Sequence, residues 1–172
     1  MIQNRNQESG ITFAELLIVL VIIGILAGMF IPNWLRFLRR LEVKTARDNA
    51  YQVLLSAKQQ ARRTKLVTEV CFKQDGNRIV YSTHYRIPTK SCTNAVWQEL
   101  KGKNVEIDIT NPTFFYVPSE IAYRIQFNHL GVTHGRLGRI TFMDAKGEYH
   151  ACTFVSTLLG AQRKTEGRRC KR

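Results

Sequence analysis

Acidic residues are scarce in this chain. Asp and Glu total 13 against 26 Lys and Arg over 172 residues, a formal net charge of +13 and a pI near 10.0. That balance favours polyanionic partners such as nucleic acid, anionic lipid or acidic polysaccharide, and carries no information about fold. Internal repeats and low-complexity segments are absent. Apolar residues at 44% and charged residues at 23% exclude wholesale disorder. Enzyme signatures are missing as well. No nucleophile elbow or phosphate loop accompanies the histidines His84, His129, His134 and His150, which are scattered through the presumed strands and turns. The glycine-rich stretch Gly131–Gly138 (GVTHGRLG) lacks the Lys-Ser/Thr of a phosphate loop and reads as a turn connection. No pair of cysteines has the close spacing that zinc sites favour. The expectation is a protein that is not an enzyme, with no metal and no cofactor, of one domain or a small domain plus an appendage.

What is present begins with a long apolar run. Residues 1–10 are polar, and from Leu16 to Ile31 every residue is apolar or glycine. Counted from Ile11, the stretch reaches 21 residues, interrupted only by Thr12 and Glu15. About 20 residues cross the hydrocarbon core as a helix, so this segment is long enough to span a bilayer. A secretory signal peptide is the rival, but its apolar core is shorter and ends at a small-residue cleavage site, whereas this run continues to Pro32 and Trp34. A buried core helix is a third reading, and sixteen unbroken apolar residues exceed what a domain of this size buries. Glu15 is anomalous, because a carboxylate inside an apolar span costs about 2.5–3.5 kcal/mol on insertion scales and tends to be paired and functional. A position at the membrane interface would remove most of that cost.

Ser9-Gly10, then Ile11-Thr12-Phe13-Ala14-Glu15, then the apolar run to Pro32 resembles the class III signal of type IV pilins and type II secretion pseudopilins. The resemblance implies that a prepilin peptidase cuts after Gly10 and methylates the amine of Ile11. It also implies that Glu15 and Pro32 serve in assembly, each in register with the motif. Two residues depart from the usual pattern, since Ile11 is more often Phe or Met and Ala14 is usually larger. A mature Ile11 amine lies one helical turn from Glu15. In a packed assembly the Glu15 carboxylate of one subunit would neutralise the amine of a neighbour in low-dielectric surroundings. Pro32 removes a backbone donor and is able to kink or locally melt the helix. The positive-inside rule points the other way: Arg5 alone precedes the span, while Arg36, Arg39, Arg40, Lys44 and Arg47 follow it. The resemblance and the cysteines favour a head on the far side of the inner membrane.

Past the span, Ala46, Ala50, Val53, Leu54, Ala57 and Ala61 recur at helical spacing and form one narrow stripe of mostly small residues, suited to lie flat on a sheet. The other face of this segment is basic, with nine Lys or Arg from Arg36 to Lys65 against Glu42 and Asp48. A solvated face beside anionic headgroups and a specific binding face are both open readings. After Lys65, short β-branched and aromatic runs alternate with turn residues: 66–72, 78–87, 103–109, 122–127, 139–143 and 149–156. The predicted class is α+β, a long N-terminal helix packed on an antiparallel all-β head. Its divisions are a leader at 1–10, an assembly helix at 11–32, an amphipathic helix at 33–65 and a head at 66–172. The part beyond the helix is similar to the GspH/FimT group of minor pilins and pseudopilins, which implies an all-β head ending in a strand and a basic tail.

Cys71, Cys92, Cys152 and Cys170 all lie in the predicted head. Of the three possible pairings, the neighbour pairs Cys71–Cys92 and Cys152–Cys170 close the shortest loops and imply an oxidising compartment. The second bridge would tether a cationic loop carrying Arg163, Lys164, Arg168 and Arg169, with Lys171 and Arg172 beyond it. Some FimT-type pilins bind DNA through a C-terminal Gly-Arg-x-Arg motif. Gly167-Arg168-Arg169-Cys170 lacks the second arginine in register, so the resemblance extends to charge and not to the motif. The expected function is that of a minor pilin: a precursor in the bacterial inner membrane that joins a filament with other pilins and has a basic head able to bind DNA in natural transformation. The alternative is a GspH-like pseudopilin of type II secretion with no DNA role. A solvated basic terminus remains the simplest account of the C-terminal charge.

Overall fold

The computed structural model describes residues 12–86, 91–93, 96–111, 114–157 and 159–171, with backbone alone at 29–32. The chain divides into two compact units, Met1–Leu38 and Arg39–Arg172. One helix, α1 (Phe13–Thr64), supplies the first unit and opens the second. The backbone is helical through Pro32, so the local melting that a proline permits does not occur.

In the first unit the helix is apolar on every side. Its most apolar window has a mean hydropathy of 2.8, and none of that window is buried within the chain. An evenly apolar, uncovered helix of this length meets the requirements of a membrane span by length and composition.

The second unit contains its own core. From Val43 to Ala61 the α1 residues Val43, Ala46, Ala50, Leu54, Ala57 and Ala61 are essentially inaccessible to solvent, with Val53 close behind. The periodic small residues thus let the helix backbone approach the strands. The helix ends where Lys65 takes a left-handed φ of +60°, and Thr64 Oγ1 donates to the Gln60 carbonyl.

Nine strands follow among the described residues. They are β1 (Thr68–Asp75), β2 (Arg78–Tyr85), β3 (Gln98–Glu99), β4 (Val105–Ile107), β5 (Phe115–Val117), β6 (Ala122–Phe127), β7 (Gly138–Asp144), β8 (His150–Val155) and β9 (Gln162–Glu166), before a final 3₁₀ turn, Gly167–Cys170. They form two antiparallel sheets, ordered β3-β2-β1-β6-β5 and β4-β7-β8-β9. The β1–β2 hairpin closes through Gly76-Asn77, where Gly76 adopts φ +57°. Side chains rarely adopt that angle and glycine adopts it freely, which suits the residue to a two-residue hairpin turn.

Alternation along the strands sends Val70, Phe72, Ile125 and Phe127 of the first sheet and Ile140, Phe142, Ala151 and Val155 of the second into one core with α1. The opposite face of the first sheet carries a smaller cluster of Cys71, Cys92, Val117 and Ala122, covered by Trp97. Both bridges join sequence neighbours, Cys71–Cys92 and Cys152–Cys170.

The C-terminal segment departs from the expected loop. Residues 162–166 form β9, an edge strand paired along its length with β8, and 167–170 form the 3₁₀ turn. Its sequence, QRKTE, has no apolar alternation. Its order comes from the β8 ladder, the Cys152–Cys170 bridge and ion pairs to α1.

Candidate functional site

The N-terminal segment begins with Thr12, whose Oγ1 accepts the backbone N–H of Glu15 at 3.3 Å. Thr-x-x-Glu is the capping-box arrangement, in which the threonine satisfies an orphan donor of the first turn. Glu15 therefore sits in the first turn of α1, exposed, where its negative charge also complements the positive end of the helix dipole. The Thr-x-x-Glu spacing is itself the sequence signal for this cap. Gly10, Ile11 and the leader lie outside the described residues, as does Arg172, and of Pro32 only the backbone is described.

On the head, part of the basic face of α1 is engaged within the chain. Arg39 pairs with Asp144 at 3.9 Å, and Lys44 and Arg47 pair with Glu166 at 3.1 and 3.7 Å. Lys58 Nζ donates to the Leu159 and Gly160 carbonyls at 3.1 and 2.8 Å, and Arg62 Nε donates to the Leu130 carbonyl at 3.0 Å. These cations tie the helix to loops and strand ends of the head.

Strand geometry also divides the C-terminal charge. Side chains alternate on β9, so Lys164 and Glu166 face α1 while Arg163 faces away. Lys164 pairs with Asp48 at 3.2 Å and lies 5.2 Å from the Tyr51 ring centre. Tyr149 Oη donates to Glu166, and together with Lys44 it holds that carboxyl below its ordinary range. Arg163, Arg168, Arg169 and Lys171 are exposed. Arg169 lines a shallow cavity with Arg139 and Phe154.

The most buried ionisable group was not anticipated. Glu69, on the central strand β1, is fully buried. Its Oε1 accepts the Cys92 backbone N–H at 2.9 Å and faces His84 Nε2 at 3.3 Å. Its Oε2 accepts from Ser91 Oγ at 3.3 Å, from Arg124 at 3.4 Å and from Gln126 Nε2. Burial alone would raise its pKa. The hydrogen bonds from His84, Gln126 and Cys92, with the charge of Arg124, outweigh burial and hold it at about 2. A lone carboxylate between Thr68 and Val70 reads as a solvent-facing strand residue, and its partners come from residues 84, 91, 92, 124 and 126. No local signal announces them.

Glu69, Cys71 and Cys92 converge closely enough to resemble a metal site, but both sulfurs are spent in the bridge. The histidines do not converge on one another. His84 serves Glu69, His134 accepts from Arg86 at 3.2 Å, and His150 sits 3.5 Å from Asp108. Burial and the nearby Lys171 push the His150 ring toward its neutral form.

A long N-terminal helix packed on two antiparallel sheets is a pilin fold, and here it follows a prepilin-type N-terminus. Residues 5–31 match the prokaryotic N-terminal methylation motif. The fold is similar to that of the type IV minor pilin FimU of Pseudomonas aeruginosa, known in two crystal forms. One aligns at a TM-score of 0.53 with 11% identity over 78% of this chain and 98% of that one. The other aligns at 0.50 with 9% identity over 74% and 98%. No curated protein sequence matches the chain.

Proposed function

We propose that this chain is a type IV minor pilin, a structural subunit and not an enzyme. The observation that carries the reading is the methylation motif at residues 5–31 leading directly into the helix of a pilin fold. A prepilin peptidase cuts between Gly10 and Ile11 and methylates Ile11. The span anchors the subunit in the inner membrane with its head, stapled by two disulfides, in the periplasm. Assembly then proceeds by packing of spans, with Glu15 of one subunit against the Ile11 amine of the next, an open head-to-tail contact that generates a helical filament. Pro32 lies within the packed helices.

The test is the mass of the N-terminal peptide in cells that contain a prepilin peptidase. Wild type should give methylated Ile11 and Gly10→Val an uncut precursor; ordinary cutting of the variant refutes the assignment. Glu15→Val should insert in the membrane and fail to enter filaments.

A second reading, DNA capture by the head, is supported by the exposed Arg163, Arg168, Arg169 and Lys171 on a strand and turn that the Cys152–Cys170 bridge holds in place. A pre-ordered cationic surface loses less entropy on binding phosphate than a free tail. Duplex DNA affinity measured across a salt series, with these four residues changed to Gln, tests it. Binding through them predicts a smaller salt slope in the variant. Absent or unchanged binding leaves a structural minor pilin, or the pseudopilin of a type II secretion system, which shares the N-terminal motif.

A further inference from the structure

The outer edge of β5 differs from the edges at β4 and β9. On β4 the outward Ile107 N–H is occupied by Gln74 Oε1 at 3.0 Å, and β9 is tied to α1 by its ion pairs. On β5, no strand among the described residues pairs with the edge away from β6. Its aromatic residues are about half exposed, Phe115 at 48% and Tyr116 at 44%. Successive residues of a strand point to opposite faces, so these two rings look in opposite directions.

The two faces differ in chemistry. On the Tyr116 side lies a cavity of about 580 Å³ walled by Ile107, Ile109, Phe114 and Ile121, with Tyr123 beneath. On the Phe115 side a smaller cavity, about 230 Å³, holds Arg124, His134 and Arg136. Arg136 lines both, and no carboxylate lines either among the described residues.

Ile121 adds an independent observation. It is β-branched, yet its φ is +51°, and its side chain is 68% exposed at the rim of the larger cavity. Glycine would adopt that angle without strain, and isoleucine is among the residues least suited to it. The head itself gives this side chain almost no burial in return. A partner covering the cavity would.

We propose that β5 accepts an added strand: an extended polypeptide segment in which apolar and acidic residues alternate. Its apolar side chains enter the cavity beside Tyr116 and Ile121, and its carboxylates meet Arg136 on the other face, where Arg124 is already paired with Glu69 and stacked on Phe115. Main-chain hydrogen bonds to a free edge give affinity, and alternate side-chain sites give specificity. The period of two required of the guest is the period with which β5 presents its two faces. Arg136, with no carboxylate among the described residues lining either cavity, selects acid over base, and the isoleucine-rich wall selects aliphatic side chains. The inference goes beyond filament assembly and holds whether or not the chain enters one.

The test uses the full chain in zwitterionic lipid nanodiscs and a short fluorescent peptide alternating valine and glutamate. Saturable binding is expected, weakened about tenfold or more when lysine replaces glutamate, when alternate backbone amides are methylated, or in Arg136→Glu. Ile121→Gly should weaken binding several-fold while raising the melting temperature, which separates loss of the site from loss of the fold. Equal binding of the glutamate and lysine peptides, indifference to Arg136→Glu, or no saturation by about millimolar peptide overturns the proposal. Arg136-dependent capture of a single-stranded oligonucleotide in place of the peptide overturns it as well and gives the groove to nucleic acid.

Discussion

Glu69→Gln is the most informative perturbation of the head. The native carboxyl titrates at about 2 instead of an ordinary 4.5. At about 1.4 kcal/mol per pH unit, that difference is worth ~3 kcal/mol of stability to the ionised form. The folded-state value is depressed, so this contribution is complete above the unfolded value of 4.5 and disappears as pH falls through about 2. Glutamine keeps the shape and removes the charge, and its amide N–H₂ replaces one of the two accepting oxygens, so that it faces a donor either at Cys92 on the Oε1 side or at Ser91 and Arg124 on the Oε2 side. Glu69 is inaccessible to solvent, so no screening discount applies. The variant should therefore be ~3 kcal/mol less stable near neutral pH, within the range for breaking a buried charged pair. The assay is denaturant unfolding of the Arg39–Arg172 unit with both bridges intact, at several pH values from about 7 to about 2. Other carboxyls held low by their partners, among them Asp48, Asp108 and Glu166, are common to both proteins and cancel in the difference. The gap between wild type and variant should close with acid. A gap that stays constant across that range would show that the charge of Glu69 is not what its surroundings stabilise.

Replacing Cys152 and Cys170 together by serine releases a bridge between residues 18 apart and should lower stability by ~3 kcal/mol in the same unfolding assay. Ala57→Leu places a larger side chain where α1 meets the sheets with no solvent access, and calorimetry should record a loss of about 1–3 kcal/mol. Gly131→Ala sets a methyl group against the Arg62 side chain at a φ of +70°. It should cost about 1–3 kcal/mol and speed amide exchange around the Leu130 carbonyl that Arg62 holds.

The helix and the longer strands were legible because their signals are local. The stripe from Ala46 to Ala61 repeats at the helical period, and β1, β2, β6, β7 and β8 carry β-branched and aromatic residues between turn formers. The N-terminal motif was legible because its residues are contiguous. The short strands β3 and β5 were missed, since two or three residues carry no period. β9 was read as a loop because Gln162–Glu166 is polar throughout. Asp48, Lys44 and β8, which order it, are distant in sequence. The division into two sheets was hidden for the same reason. Charge was the least legible property: counting Arg and Lys along α1 gave a basic face, but the carboxylates and carbonyls that engage it belong to the head.

Each bridge joins a central strand to a segment laid over it. Cys71 lies on β1, with strands on both sides, and Cys152 lies likewise on β8, whereas Cys92 and Cys170 sit on segments laid over those strands. Cys92 reaches its partner with its own N–H docked on Glu69, and Thr141 Oγ1 contacts the Cys170 carbonyl at 3.5 Å. Each bridge therefore ties a covering segment to a strand that already has ladder partners on both sides, so reduction releases the cover while the ladders keep their own backbone hydrogen bonds.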